Sequence, residues 1–315
     1  MTEALRRIKN ENTAGETIEA RQQLFVPAWE VVEEVEGVDA AEAKEGDGRA
    51  AAARADAAAR RQDVARHELL ARPDDVQAVA AVPATGSISL GSRWKERLAA
   101  GPDANPGLIE QFRRLAATLH HAHQANNLRS VMITSASPGD GKTLTAINLA
   151  LVLAESYRYS VLLVDADLRR PSIPNVMDIG VGSGLSESLG SQNERKLALV
   201  PITPRLTLLP AGHAIANSIE ALTSPRMAQI LEEATSRFSW VILDAPPVGA
   251  ATDARLLSQM VGGTLFVIHA GQSQYPDVQR AIDALGREHI LGVVLNAVED
   301  APEASYYYYG HPQGD

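Results

Sequence analysis

The stretch that decides the fold reads Val131-Met-Ile-Thr-Ser-Ala-Ser-Pro-Gly-Asp-Gly-Lys-Thr143. An apolar run leads into a glycine-rich turn, and a helical pattern follows it, as in loops that bind phosphate groups. Gly139 and Gly141 would let backbone N–H groups turn inward around phosphate oxygens. Lys142 would bring a positive charge to the β- and γ-phosphates, and the hydroxyl of Thr143 would bind Mg²⁺. The segment therefore predicts a phosphate-binding loop between a strand and a helix.

The loop departs from the full phosphate-loop pattern at one position. That pattern has a glycine five residues before Gly141, and this chain has Ala136 there. An ordinary glycine-rich turn is therefore the competing interpretation. The sequence Gly-Lys-Thr between a strand and a helix argues against it. So does the rarity of lysine, since Lys142 is one of only two lysines after residue 104.

The rest of the chain after about residue 105 alternates short apolar runs with helical periodicity. The candidate strands are 130–134, 161–165, 206–210, 240–244, 264–268 and 292–296. The candidate helices are 108–123, 142–155, 224–236, 252–260 and 277–287. Most of the strands are apolar on both faces, as strands of a buried parallel sheet are. The pattern predicts an α/β fold of the P-loop NTPase type, with a mostly parallel sheet flanked by helices, over residues 105–300.

The first 104 residues differ in composition from the rest. Between residues 40 and 60, 11 of 21 residues are alanine and the others are charged or glycine, so little apolar bulk is available for a core. This composition predicts a low-complexity, largely disordered region with transient helix over residues 1–104. A short apolar patch at 24–29, Leu-Phe-Val-Pro-Ala-Trp, is interpreted either as a docking segment or as a partly collapsed linker.

Composition excludes several classes of protein. The chain has no cysteine, which rules out disulfides, thiolate nucleophiles and cysteine-bound zinc. The formal net charge is −10 and neither half of the chain is basic, which argues against nucleic-acid binding. We find no apolar stretch of the roughly 18–20 residues that a membrane helix needs, and no signal peptide. These features predict a cytoplasmic protein.

A second candidate strand ends in two carboxylates. The run 161–165 ends at Asp165, and Asp167 and Arg169 follow at alternate positions. Carboxylates at the carboxyl edge of a parallel sheet lie where ligands bind. They would hold Mg²⁺ or accept a proton from an attacking hydroxyl, and the arginine would neutralise phosphate charge. A solvated strand end with local salt bridges is the alternative interpretation.

A later apolar strand ends in a single acid, Asp244, a pattern that places an aspartate on the metal of phosphate-loop enzymes. An aspartate at the end of one strand is weak evidence by itself. Asp244 is, however, the third candidate motif along the chain, after the phosphate loop and the pair of carboxylates. Asp253 begins the next segment and is interpreted as a supporting residue of the site or as a helix cap. Asn296 ends the strand 292–296, where its amide would bind a purine base or simply form a turn.

The aromatic residues are unevenly distributed. Four of the seven tyrosines are adjacent, at Tyr306–Tyr309, within a C-terminal tail of residues 301–315. A core uses aromatic residues singly, spaced by the period of a strand or helix. Packing therefore does not explain this run, and a sticky, disordered chain end is the alternative to a function.

These motifs and their order resemble those of the bacterial tyrosine kinase family, over residues 110–310. The family's phosphate loop reads Pro-Gly-Glu/Asp-Gly-Lys-Ser/Thr without the early glycine, and residues 138–143 match it. Its second motif, Asp-x-Asp-x-Arg after an apolar strand, matches residues 165–169. Its third motif, an aspartate often followed by two prolines, resembles residues 244–247. Its C-terminal tyrosine cluster resembles residues 306–309.

The resemblance implies ATP-dependent tyrosine autophosphorylation between neighbouring copies, in the control of capsule or exopolysaccharide synthesis and export, with ATP and Mg²⁺ as cofactors. The nucleotide-binding residues would be Pro138, Gly139, Asp140, Gly141, Lys142, Thr143, Leu144 and, as the adenine contact, Asn296. The catalytic residues would be Lys142, Asp165 as base, Asp167, Arg169 and Asp244. The Mg²⁺ ligands would be Thr143, Asp167 and Asp244. The phosphoacceptors would be Tyr306, Tyr307, Tyr308 and Tyr309.

The chain departs from the family in its self-association motif, Glu-x-x-Arg-x-x-Arg. Glu110 and Arg113 match, but the last position is Ala116, which weakens the prediction of a homo-oligomer. Without a predicted membrane span, the chain resembles the split members of the family. Those members act with a separate, membrane-embedded chain-length regulator whose cytosolic tail activates them. The resemblance thus implies recruitment to the inner face of the cell membrane.

A protein of another class would share this fold. In nucleotide-switched assembly ATPases of the partition or septum-site type, ATP binding drives assembly and no protein is phosphorylated. Those proteins usually have an additional lysine early in the phosphate loop, and residues 134–141 contain none. A non-catalytic regulator of polysaccharide assembly is the third interpretation, against which the intact Lys142, Thr143 and three aspartates argue.

Overall fold

The computed structural model describes residues 22–27, 94–100, 104–180, 182–190, 197–249 and 252–298. For residues 22–27 it describes the backbone alone. Most of the low-complexity region and the whole tyrosine-rich tail, 301–315, lie outside these ranges. The domain boundaries at residues 104 and 300, the disorder and the phosphoacceptor role therefore stay predictions.

A sheet of eight strands forms the centre of the described structure. The strands are β1 (Gln22–Pro27), β2 (Ser130–Ser135), β3 (Val161–Asp165), β4 (Val200–Pro201), β5 (Leu206–Leu209), β6 (Trp240–Asp244), β7 (Thr264–His269) and β8 (Ile290–Val298). Their order across the sheet is β1-β8-β7-β2-β6-β3-β5-β4. The six strands from β8 to β5 are parallel, whereas the edge strands β1 and β4 are antiparallel to their neighbours.

Helices cover both faces of this sheet. They are α1 (Pro106–Asn126), α2 (Lys142–Glu155), α3 (Ile173–Met177), α4 (Leu185–Gly190), α5 (Ser218–Leu222), α6 (Pro225–Arg237), α7 (Asp253–Ser258) and α8 (Tyr275–Leu285). Short 3₁₀ turns occur at Lys95–Arg97 and Arg287–His289. Every position of β2, β3, β6 and β7 is buried, which explains why these strands are apolar on both faces.

The core has two layers, one on each face of the sheet. Ile242 of β6 belongs to the layer formed with α1, α2 and α3. The next residue, Leu243, belongs to the layer formed with α4, α6, α7 and α8. Because side chains alternate along a strand, a helix layer on each face is needed to bury both residues. The predicted fold class, a mostly parallel P-loop NTPase-type sheet flanked by helices, is confirmed.

The strand β1 was not predicted from the sequence. Part of the apolar patch interpreted as a docking segment or a linker forms an edge strand, with Phe25 opposite Val294 of β8. Its partner lies near the other end of the chain, so no local pattern could indicate the pairing. A strand of six residues with a terminal proline also gives a weak periodic signal.

Helix α1 carries the self-association motif and is longer at both ends than predicted. Its first turn is capped by Asn105, whose side-chain oxygen accepts from Gly107 N at 2.8 Å. Glu110 and Arg113 are about half exposed and form an ion pair at 3.9 Å. Ala116, by contrast, has no solvent exposure. In this chain the third position of the motif therefore faces the core, and a surface arginine there would require α1 to rotate.

Among the described residues, no helix has both the length and the apolar character required to cross a bilayer.

Candidate functional site

The sheet order brings three of the predicted motifs to one edge. Strands β2, β6 and β3 are neighbours, so the loop after β2 and the ends of β6 and β3 lie side by side. Asp165 and Asp244 are directly opposite each other in the β3–β6 register. Because all three strands are parallel, their carboxyl ends meet at the same side of the sheet, which is where α/β proteins bind ligands.

The loop between β2 and α2 has the backbone of a phosphate-binding loop. Gly139 and Gly141 have φ values of 92° and 98°, which favour glycine over any residue with a side chain. A Cβ at Gly141 would also lie 1.9 Å from Nδ2 of Asn296. Pro138 and Gly139 are exposed, and α2 begins at Lys142 with its positive end toward the loop. The loop can therefore receive an anion.

Lys142 connects the loop to the carboxylates. Its Nζ lies 3.3 Å from Oδ2 of Asp167 and 3.6 Å from Oδ1 of Asp244, and also 3.4 Å from Oγ1 of Thr143. The lysine side chain is 11% exposed. Burial alone would lower the pKa of Lys142, but Asp244 and Asp167 outweigh it, so the pKa lies above its usual value. Lys142 is therefore positively charged at neutral pH, and its ammonium group lies beside the loop.

Two carboxylates of the site retain unused hydrogen-bonding capacity. In the described part of the chain, neither oxygen of Asp244 has a hydrogen-bond partner, and burial raises the pKa of this residue. Asp165 accepts from the backbone N–H groups of Ser172 and Ile173, each at 3.2 Å, through Oδ2 only. Burial and the neighbouring Asp244 raise the pKa of Asp165 to about 8. Buried, under-satisfied carboxylates of this kind are typical of sites that bind a cation or move a proton.

The residues predicted to hold Mg²⁺ supply the hard oxygen ligands that this ion prefers. They are Thr143, Asp167 and Asp244. Each has a side-chain oxygen within 3.6 Å of the Lys142 ammonium group. The unsatisfied oxygens of Asp244 support this fit. Within the ranges described, no group of three histidine or acidic side chains could hold a metal. The rest of the coordination would therefore have to come from nucleotide oxygens and water, which is usual for Mg²⁺.

The structure joins Arg169 to Asp253. The Nε atom of Arg169 lies 3.0 Å from Oδ2 of Asp253 and 2.8 Å from Oγ of Ser218, and Ser218 in turn donates to the same Asp253 oxygen at 2.5 Å. Asp253 is fully buried and follows the N-cap residue of α7, Thr252. Asp253 is therefore not the N-cap residue of α7, and its carboxylate holds Arg169; the interpretation of Asp253 as a supporting residue of the site stays a prediction. The role of Arg169 as a charge stabiliser stays a prediction.

Asn296 lies against the phosphate loop. Its Nδ2 donates to the backbone carbonyl of Asp140 at 2.9 Å. The Asp140 side chain is 1% exposed and accepts from Ser137 N and from Ser273 Oγ, both at 2.8 Å. The adenine contact assigned to Asn296 stays a prediction.

Sequence reasoning missed two serines of the site. Ser172 contacts Thr143 through their hydroxyls at 3.0 Å, and Ser273 bonds Asp140. No local pattern marks either one as a site residue. Ser172 is the N-cap residue of α3, Ser273 lies in the turn after β7, and both contact the loop only through tertiary structure. Leu144, half-buried at the start of α2, is near the loop in sequence and has no polar group to offer a nucleotide beyond its backbone.

Comparisons with known proteins identify relatives of this chain. The sequence profile of the family described as ParA: NUBPL iron-transfer P-loop NTPase matches residues 127–305, more than half of the chain. The tyrosine-protein kinase YwqD of Bacillus subtilis (strain 168) is 32% identical over 223 residues, which cover 70% of this chain and 94% of that protein. The putative tyrosine-protein kinase CapB of Staphylococcus aureus is 28% identical over 205 residues, which cover 64% of this chain and 90% of that protein.

A solved structure is similar as well. The kinase domain of Escherichia coli tyrosine kinase ETK matches with a TM-score of 0.58 and 32% sequence identity, over 65% of this chain and 81% of that one. The fold and the phosphate-binding loop place the chain in the class of P-loop NTPases. Within that class, the chain belongs to the bacterial tyrosine-protein kinase family, so the resemblance of its motifs to that family is confirmed.

Proposed function

We propose that this chain, a protein-tyrosine kinase by its family, uses ATP to phosphorylate its own tyrosines 306–309 and thereby regulates capsule or exopolysaccharide synthesis and export. One observation carries the proposal: Lys142 and three aspartates, Asp165, Asp167 and Asp244, converge at a single sheet edge beside the phosphate loop. Phosphoryl transfer is catalysed mainly by positioning and electrostatics, and this arrangement provides both.

Nucleotide binding would use the loop and Lys142. Backbone N–H groups of residues 139–143 would surround the phosphates, and the N-terminus of α2 would add its partial positive charge. The ammonium group of Lys142, now between Asp167 and Asp244, would turn to the β- and γ-phosphates. The aspartates would then be available to the metal ion.

Thr143, Asp167 and Asp244 would hold Mg²⁺, directly or through water. Bound there, the ion would supply positive charge that neutralises the phosphate oxygens during transfer. This proposal rests on the unsatisfied oxygens of Asp244 and on the oxygen chemistry of the three side chains.

Asp165 is the proposed base. Its carboxylate would accept the proton of the tyrosine hydroxyl as the phenolic oxygen bonds to the γ-phosphorus and the bond to ADP breaks. The raised pKa of Asp165 supports this role, because a base is most effective when its pKa lies near the working pH. Arg169 would stabilise the transferring charge from the position in which Asp253 holds it.

The proposal includes partners and a location that rest on the family resemblance. The chain would act as a homo-oligomer in which one copy phosphorylates the tail of its neighbour. It would be activated by the cytosolic tail of a membrane-embedded chain-length regulator and recruited to the inner face of the membrane. The buried position of Ala116 indicates that contacts other than the complete motif would support self-association.

The test is incubation with ATP and Mg²⁺, with and without the cytosolic tail of the membrane partner, followed by mass spectrometry. We expect phosphate on Tyr306–Tyr309 that is absent in Lys142→Met. In Asp165→Asn we expect ADP binding to persist while phosphotyrosine falls at least about 100-fold, the lower range for a general base. The exposed Asp283→Asn should match the unmodified protein.

The profile match to ParA-type P-loop NTPases favours a second candidate, a nucleotide-switched assembly ATPase. Hydrolysis of ATP without any phosphotyrosine, with and without the partner tail, would support this candidate and reject the kinase proposal.

A further inference from the structure

The phosphate loop is attached to the next strands of the sheet through Asp140. Both carboxylate oxygens of this residue are in use: Oδ2 accepts from Ser137 N within the loop, and Oδ1 accepts from Ser273 Oγ outside it, each at 2.8 Å. The carboxylate therefore bridges the first part of the loop to a turn that follows β7. Asp140 is almost completely buried, so these bonds are shielded from competition by water.

Ser273 is itself held in place. Ser273 is almost completely buried. Its hydroxyl oxygen accepts a hydrogen bond from the backbone N–H of His269, the last residue of β7, at 2.9 Å. The single hydroxyl proton is thus directed at Asp140. Because β7 is the direct neighbour of β2 in the sheet, the turn has a fixed position relative to the loop.

A second attachment comes from β8. Asn296 lies opposite His269 in the β7–β8 register, and its Nδ2 donates to the carbonyl of Asp140 at 2.9 Å. The approach is close, since a side chain at Gly141 would collide with this amide. Asp140 is therefore held by its side chain and by its backbone, from two different strands.

We propose that Ser273 is a positioning residue for nucleotide binding, acting through Asp140 to hold the phosphate loop in its binding conformation. The inference rests on the proposed binding of nucleotide by this loop. A loop that is ordered before binding loses less conformational entropy when the ligand arrives. Without these attachments, part of the binding free energy would be spent on ordering residues 137–141.

The first test is ADP binding by calorimetry in Ser273→Ala. We expect a Kd about tenfold higher than in the unmodified protein, which corresponds to one lost hydrogen bond to a charged group. In kinase assays the KM for ATP should rise about tenfold while kcat stays within about twofold, because the variant leaves the reacting groups in place. Ser273→Thr keeps the hydroxyl and should restore the Kd to within about threefold of the unmodified value.

The matched control is Ser188→Ala. Ser188 is also a nearly buried serine, and its hydroxyl donates to the carbonyl of Gly184 at 2.9 Å, within α4 and its N-terminus. Its removal should leave the Kd for ADP within about twofold. An unchanged Kd in Ser273→Ala would overturn the proposal.

A double-mutant cycle tests whether Ser273 acts through Asp140. If it does, Ser273→Ala combined with Asp140→Ala should bind ADP no more weakly than Asp140→Ala alone. Additive losses would contradict the proposal, even if each single variant were destabilised. Since ADP binding is measured without phosphoryl transfer, a chain that made no phosphotyrosine would reject the kinase proposal and leave this test intact.

Discussion

At the scale of single residues, Asp244 is a buried carboxylate whose charge its neighbours compensate only in part, so burial raises its pKa. It is fully buried, its ion pair with Lys142 spans 3.6 Å, and another carboxylate, that of Asp165, lies opposite it in the sheet. Replacing it by asparagine removes a carboxylate whose ionisation burial opposes, while Lys142 keeps its ion pair with Asp167 at 3.3 Å. We expect Asp244→Asn to raise the free energy of unfolding of the nucleotide-free protein by about 1 kcal/mol and to abolish phosphotyrosine formation.

Urea denaturation without nucleotide measures this effect. Asp283→Asn is the control, because Asp283 is an exposed partner of Arg287 on the surface and its loss should change stability by less than about 0.5 kcal/mol. A lower free energy of unfolding in Asp244→Asn would contradict the interpretation that the buried carboxylate of Asp244 destabilises the nucleotide-free fold.

The identity of the central residues was predictable from local sequence. Gly-Lys-Thr at the start of a helix, and acids at the ends of apolar strands, are signals that span a few residues each. The residues that hold this centre were not predictable. Ser172 is a helix N-cap residue and Ser273 lies in a turn. Serines are common at both kinds of position, so the local sequence does not distinguish one that bonds the loop from one that faces solvent.

At the scale of elements, Arg169 joins the segment after β3 to two short helices. Its partners Ser218 and Asp253 are the first residues of α5 and α7. Removal of the arginine would leave the fully buried Asp253 without its cation. We expect Arg169→Ala to lower the free energy of unfolding by about 2 kcal/mol, less than for a fully buried pair because the arginine side chain is 39% exposed.

Chemical denaturation again provides the measurement. Arg169→Ala combined with Asp253→Ala should recover part of the lost stability, because the unpaired buried charge is then absent. Arg280→Ala removes the exposed arginine that pairs with Asp277 and should cost less than about 0.5 kcal/mol. If Arg169→Ala were no more destabilised than this control, the buried pair would not hold these helices.

The start of α4 is predicted to be sensitive to acid. Glu187 accepts from Gly184 N at 2.7 Å and from N and Nδ1 of His213 at 3.0 and 2.7 Å. Burial opposes its ionisation, but these hydrogen bonds outweigh burial and lower the pKa of Glu187 to about 2, from an ordinary 4.5. A lowered folded-state pKa contributes stability above about pH 4.5 that is lost as the pH falls toward 2.

Glu187→Gln should therefore lose less stability than the unmodified protein between pH 4.5 and 2. Thermal unfolding across this range measures the difference. Glu220→Gln, at an exposed glutamate near the start of α5, serves as the control. Equal slopes in the Glu187 variant and the unmodified protein would show that these hydrogen bonds do not stabilise the ionised carboxylate.

At the scale of the whole molecule, β1 covers the outer edge of β8. The two strands are antiparallel from Gln22–Val298 to Pro27–Gly292, and β8 carries Asn296. A chain lacking residues 1–27 would leave one edge of β8 without its hydrogen-bond partners. We expect faster hydrogen exchange in β8 and unchanged exchange in the central strand β6, measured by mass spectrometry. Unchanged exchange in β8 would indicate that β1 adds no stability to the sheet.

The sequence by itself determined the class of fold, the loop and the strand ends that carry acids. These signals are local, because periodicity, glycine conformation and helix starts depend on neighbouring residues. Only the tertiary structure decided that Asp165 faces Asp244, that Asp253 holds Arg169 and that Ser273 reaches Asp140. Such contacts depend on the order of strands in the sheet and on crossovers between them. A pattern of neighbouring residues does not specify which distant turns these crossovers bring together.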